Sequence, residues 1–126
     1  MTASPAYAAG LLDGEGCISI FRTSFHQWAT DPSRKTPGTA LGISIANTDK
    51  TPLIILQTTY GGNIGAAKRR VGNKVLYMLR FTNGPEQLRF LLSVRPHVLI
   101  KRQQIDAALE YLETYVGPGG FLSRKA

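Results

Sequence analysis

Cysteine is nearly absent from this chain. Its single cysteine, Cys17, has no partner for an internal disulfide, and a reduced, intracellular compartment is the expectation. The two histidines, His26 and His97, are too few and too far apart to build a zinc site. No apolar run approaches the ~20 residues of a membrane span. Met1-Thr2-Ala3 opens no basic segment followed by an apolar one, so neither a membrane anchor nor a secretory leader is expected. There is no phosphate-binding Gly-Lys-Ser/Thr loop, no dinucleotide fingerprint and no Ser/His/Asp pattern. Acidic residues are also scarce, 8 against 15 Lys and Arg, and the imbalance of +7 is not spread evenly. Residues 1–60 hold Arg22, Arg34, Lys35 and Lys50 against Asp13, Glu15, Asp31 and Asp49, a net of zero. Residues 61–126 hold eleven basic residues against four acids and carry the whole +7. A basic half suits a polyanionic partner; a solvated basic surface is the plainer alternative.

At 126 residues and 43% hydrophobic, the chain is long enough to bury a core. Residues 1–116 read as one domain, and Gly-rich 117–126, with its basic end, as a loose tail. Ser4 suits a helix N-cap and Pro5 the first helical position. The following helix carries Ala6, Gly10 and Gly14 four apart, a stripe with almost no side chain along which a second helix could approach closely, with Tyr7 beside it. Ala8, Leu11 and Leu12 are expected to face the core, and Gly14 and Gly16 to end the helix. That leaves Glu15 at the helix C-terminus, where the negative end of the dipole makes a carboxylate a collector of cations.

Residues 17–23 alternate as a strand, with Ile18 and Ile20 on one side and Cys17, Ser19, Phe21 and Thr23 on the other. A long loop spans 24–39, and residues 41–47 form a second strand with Leu41, Ile43 and Ile45 inward. Asp49 caps a helix through Leu53, Ile54 and Leu56 to Tyr60, stopped by Gly61-Gly62. A second hairpin runs from Ile64 to Phe81 around Gly72-Asn73. Asn83-Gly84-Pro85 opens a helix with Leu88, Leu91 and Leu92, ended by Arg95-Pro96. A last helix begins near Lys101 and places Ile105, Ala108, Leu109 and Leu112 at helical spacing. The class is α+β in the order α-ββα-ββα-α, a four-stranded antiparallel sheet with helices on one face. The open face presents Ser19, Thr23, Ser44, Arg69, Lys74 and Arg80, with small Gly42, Gly65 and Ala67 between them, a surface able to enter a DNA groove.

The stretch Ala8-Ala9-Gly10-Leu11-Leu12-Asp13-Gly14-Glu15-Gly16 resembles the signature motif of the LAGLIDADG homing endonucleases. The resemblance extends over roughly residues 5–115 through this order of elements. It implies a sheet saddled on double-stranded DNA and, with one motif per chain, a homodimer joined through Ala6, Tyr7, Gly10 and Gly14. It implies a site-specific endonuclease cutting both strands of a long, roughly palindromic site, with staggered ends. Glu15 matches the metal-binding acid of the motif, and with the Gly14 carbonyl and its symmetry mate would hold Mg²⁺, or Mn²⁺ or Ca²⁺ at the same place. A plain helix-end carboxylate is the alternative. Asn47 matches a polar position that orders water near the metal; it could equally cap the helix that follows it. Lys101 matches a basic residue near the scissile phosphate, against the alternative of a solvated lysine. Lys68, Arg69, Arg70, Lys74 and Arg80 are expected to meet phosphates or guanine edges, or for one or two of them to guard a strand edge. Phe21 could meet a thymine methyl or turn back to the core. Two rival functions keep the same fold: an intron RNA-binding splicing helper, and a DNA-binding protein without cleavage.

Overall fold

The computed structural model describes residues 2–22 and 39–115, with the backbone alone at 22, 68–71, 114 and 115. Helix α1 spans Pro5–Glu15, strand β1 Gly16–Arg22, β2 Thr39–Asn47, α2 Lys50–Tyr60, β3 Asn63–Val71, β4 Lys74–Phe81, α3 Gly84–Val94, and α4 Arg102–Tyr115, with a 3₁₀ turn at Arg95–His97. The order is the expected α-ββα-ββα-α. Thr23, the loop at 24–38 and the tail at 117–126 lie outside the described residues. Among those described, no helix is long and apolar enough to cross a membrane.

Local chemistry explains the element ends. Ser4 Oγ accepts from Tyr7 N, Asp49 Oδ1 from Thr51 N at 2.9 Å, and Asn83 Oδ1 from Glu86 N at 2.8 Å, so three helices start on side chains that satisfy otherwise orphaned N–H groups. Gly61 and Gly62, at φ +88° and +93°, end α2 in a region that L side chains rarely adopt. Gly72 has φ +60° while no described non-glycine residue has positive φ, the pattern of a two-residue II′ hairpin. Gly16 serves differently. Its φ is −92°, but a Cβ there would lie 2.5 Å from Leu12 Cδ1 and 2.6 Å from the Leu12 carbonyl oxygen. The helix turns so tightly into β1 that only hydrogen fits.

The strands form one antiparallel sheet in the order β1-β2-β4-β3. Leu41, Ile43, Ile45, Leu79 and Phe81 face the helices and are buried with Leu53, Leu56, Phe90, Leu91, Val94, Ile105, Ala108 and Leu112. Phe90 stacks on Phe81 at 4.5 Å and meets Tyr60 edge-on at 5.1 Å, joining α2 and α3 to the sheet. Gln87 is the one buried polar side chain among the described residues. Its Nε2 donates to the carbonyls of Leu41 (2.7 Å) and Phe81 (2.8 Å).

One expectation about the core needs correction. Ile20 is 47% exposed, because β1 is an edge strand and the covering of helices ends before its far end. Ile54 and Leu92 project outward, while Phe90 is fully buried. In α1, Ala8 and Leu12 are buried and Leu11 is half-buried against the same core, as expected, and Ala9 is buried as well. An alanine signals a buried face weakly because it is small enough for any position.

Candidate nucleic-acid and metal site

The open face of the sheet is built by register. Cys17 lies opposite Ser44, Ser19 opposite Gly42, Ser44 opposite Arg80, and Arg80 opposite Asn63. Ser19, Phe21, Ser44, Met78 and Arg80 therefore line one concavity of about 430 Å³. The Phe21 ring lies over Gly42, where an added Cβ would stand 3.1 Å from it. It stays on the open face rather than turning into the core. Arg80 Nε donates to Met78 Sδ at 3.2 Å, which angles the guanidinium along the surface. Lys74 is exposed beside the Gly72-Asn73 turn, and Lys50 Nζ stands 5.4 Å from the centre of the Tyr77 ring. Lys68, Arg69 and Arg70 belong to β3, whose pairing with β4 shifts register between Ala66 and Arg70.

A second groove, of about 480 Å³, begins where α1 ends. Gly14, Glu15, Gly16, Ala46, Asn47, Thr48 and Leu76 line it. Leu76 is two residues from Met78 along β4, so this groove continues the open face. The structure thus brings Gly14, Glu15 and Asn47 together, although 32 residues separate Glu15 from Asn47 in the chain. Glu15 is exposed. Asn47 Oδ1 accepts from Asp49 N at 2.9 Å, an Asx turn that leads into Asp49, the residue that caps α2; the amide NH₂ of Asn47 is its remaining polar group. Among the described residues no three His, Cys, Asp or Glu side chains cluster, and Glu15 is the one carboxylate among the described residues lining this groove.

Lys101 does not line this groove. Its Nζ donates to the main-chain carbonyl of Asp13 at 3.0 Å, in the last turn of α1, where carbonyls lack intrahelical partners. Asp13 is the residue that sequence reasoning passed over. Its Oδ2 accepts from Leu99 N at 2.7 Å, and its Oδ1 from Ile100 N at 3.3 Å and Lys101 N at 3.1 Å. Burial opposes ionisation of Asp13, but the bonds from Leu99, Lys101 and Ile100, and the charge of Lys101, outweigh it and hold the carboxyl below its ordinary value. Its place inside the motif was the only signal available.

On the outer side of α1, Ala6, Tyr7, Gly10 and Gly14 are all exposed. A Cβ added at Gly10 or Gly14 would meet nothing within 4 Å. The helix therefore buries one side and leaves an apolar, nearly side-chain-free side uncovered.

No sequence-family profile and no curated protein matches this chain. Solved structures do. The homing endonuclease I-CvuI, in complex with its target in the presence of Ca, superposes with a TM-score of 0.69 at 20% identity, over 88% of this chain and 66% of that one. The archaeal intron-encoded homing endonuclease I-Vdi141I, complexed with DNA, gives 0.68 at 17% identity, over 86% and 66%. The LAGLIDADG meganuclease I-AabMI, bound to uncleaved DNA, gives 0.63 at 18% identity, over 88% and 37%. This chain has the LAGLIDADG homing-endonuclease fold. It spans just under two thirds of I-CvuI and of I-Vdi141I. In the LAGLIDADG fold of this chain, α1 carries the acid, the sheet offers the open face, and both meet at the Gly14–Gly16 corner.

Proposed function

We propose that this chain is a metal-dependent, site-specific DNA endonuclease that works as a homodimer. The observation that carries the reading is the groove joining Glu15 and Asn47 to the open sheet face. A duplex lying along that face, beside Arg80 and Lys74, would present a phosphate to the end of α1. The solved structures of the same fold are homing endonucleases, I-CvuI and I-Vdi141I among them in complex with DNA.

One chain supplies half of a cation site. Mg²⁺ takes one or two carboxylates and completes its shell with water and phosphate oxygens. Glu15 from each of two chains, with Gly14 carbonyls beside them, is a donor set of that kind, and the uncovered side of α1 is the surface on which the chains would meet. A cation bound there supplies positive charge to the scissile phosphate and acidifies water. Asn47 orients a water through its amide, and the Lys101 ammonium offsets charge developing on the phosphate.

Glu15→Gln tests this. The amide keeps the shape and removes the anionic oxygen, so DNA binding persists and cleavage with Mg²⁺ disappears. The site comes from incubating the wild-type protein and Mg²⁺ with a plasmid library of random sequences. Undiminished cutting by Glu15→Gln would overturn the metal assignment.

A further inference from the structure

We propose that Asp13 is a positioning residue for Lys101, holding its ammonium at the helix end that carries Glu15; the inference rests on the nuclease reading above. The loop before α4 lacks the usual means of being held. Leu99 and Ile100 are 90% and 70% exposed, so their side chains contribute little burial. Val98 is the last buried residue before α4, and Ile105 the next after the loop. Between them the attachment is polar and comes from one carboxylate, which takes the N–H groups of Leu99, Ile100 and Lys101 in succession.

Capping a helix needs one or two such bonds. Here the third N–H belongs to Lys101 itself, and the same aspartate's carbonyl receives the Lys101 ammonium at 3.0 Å. Backbone and side-chain tip of Lys101 are thus both tied to Asp13. A lysine stem is long and flexible, and a charge preset before the reaction avoids the cost of ordering it in the transition state. Because Glu15 is two residues further along α1, movement of the loop would change the place of the ammonium relative to the carboxylate.

A role confined to stabilising the loop makes a different prediction, and a double-mutant cycle separates the two. Single-turnover cleavage at saturating protein, with Mg²⁺ and the site recovered from the library, is measured for the wild type, Asp13→Asn, Lys101→Met and the double variant. The asparagine amide sets a donor against incoming N–H donors. Asp13→Asn should slow cleavage by roughly 10–100-fold, the scale of a misplaced catalytic group, with DNA affinity unchanged. In the Lys101→Met background the same change should add no more than about twofold, the limit of ordinary additivity. If Asp13→Asn slows the Lys101→Met protein as much as it slows the wild type, Asp13 does not act through Lys101 and the inference falls. Should Asp13→Asn fail to fold, Asp13→Glu enters the cycle with the same two outcomes. A wild-type protein that cuts no DNA would instead overturn the nuclease reading, and the inference with it.

Discussion

Gln87 shows how much one side chain can carry in this fold. It is 3% exposed and lies between two strands, donating to the Leu41 carbonyl on β2 and the Phe81 carbonyl on β4. Gln87→Leu keeps the volume approximately and removes both donors. Each carbonyl that loses its partner in a dry setting costs about 1–3 kcal/mol, so the variant should lose roughly 2–6 kcal/mol in urea unfolding. A loss under about 0.5 kcal/mol, the size of an ordinary surface change, would mean the two carbonyls are satisfied without Gln87. Asp13 is a residue of the same kind, but its partners are 86 to 88 positions away. Apart from its place inside the motif, nothing beside it in the chain distinguishes it from a surface carboxylate. The place of Glu15 at a helix end was readable from local sequence, whereas Asn47 was singled out only by the resemblance, and their sharing of one groove comes from the fold.

Helix α1 shows what an element can leave unused. One side is packed through Ala8, Ala9 and Leu12, while Ala6, Gly10 and Gly14 remain open and Tyr7 is 43% exposed. A helix apolar on more than one side is expected to be covered on more than one side. Gly10→Leu adds bulk where two such helices would touch and clashes with nothing in its own chain. Sedimentation at micromolar concentration should therefore show dimer for the wild type and monomer for the variant, with the fold of the monomer preserved. A wild type that sediments only as monomer would remove the helix pair as an interface. The strands teach the complementary lesson. Alternation correctly placed Leu41, Ile43 and Ile45 inward and Ser19 and Ser44 outward, yet it could not say that β1 sits at an edge and leaves Ile20 half-covered.

Across the whole molecule, charge is the property that bears on a polyanion. The +7 comes from the second half of the chain, which supplies Lys74 and Arg80 to the exposed side of the sheet. Each phosphate that a basic side chain neutralises releases counterions, so affinity for duplex DNA should fall with salt at a slope of about −0.9 per phosphate. Replacing Lys74 and Arg80 with Ala should make the log–log slope shallower by about 0.9 for each phosphate no longer neutralised. A titration from about 50 to 200 mM salt measures it. An unchanged slope would mean that the duplex does not follow this face.

The sequence by itself determined the elements and their class. Ser4, Asp49 and Asn83 start helices, Gly61-Gly62 and Gly72 turn the chain, and period-two apolar residues make strands; all of these act over a few residues, where a side chain meets its own backbone. It also placed the acid at the helix end. Only the tertiary structure decided the strand order β1-β2-β4-β3, the joining of Glu15 and Asn47 in one groove, the Phe21 ring over Gly42, and the hold of Asp13 on the loop before α4. These depend on which distant segments share the core. That is set by the summed packing of many weak interactions, and no short stretch of sequence records it.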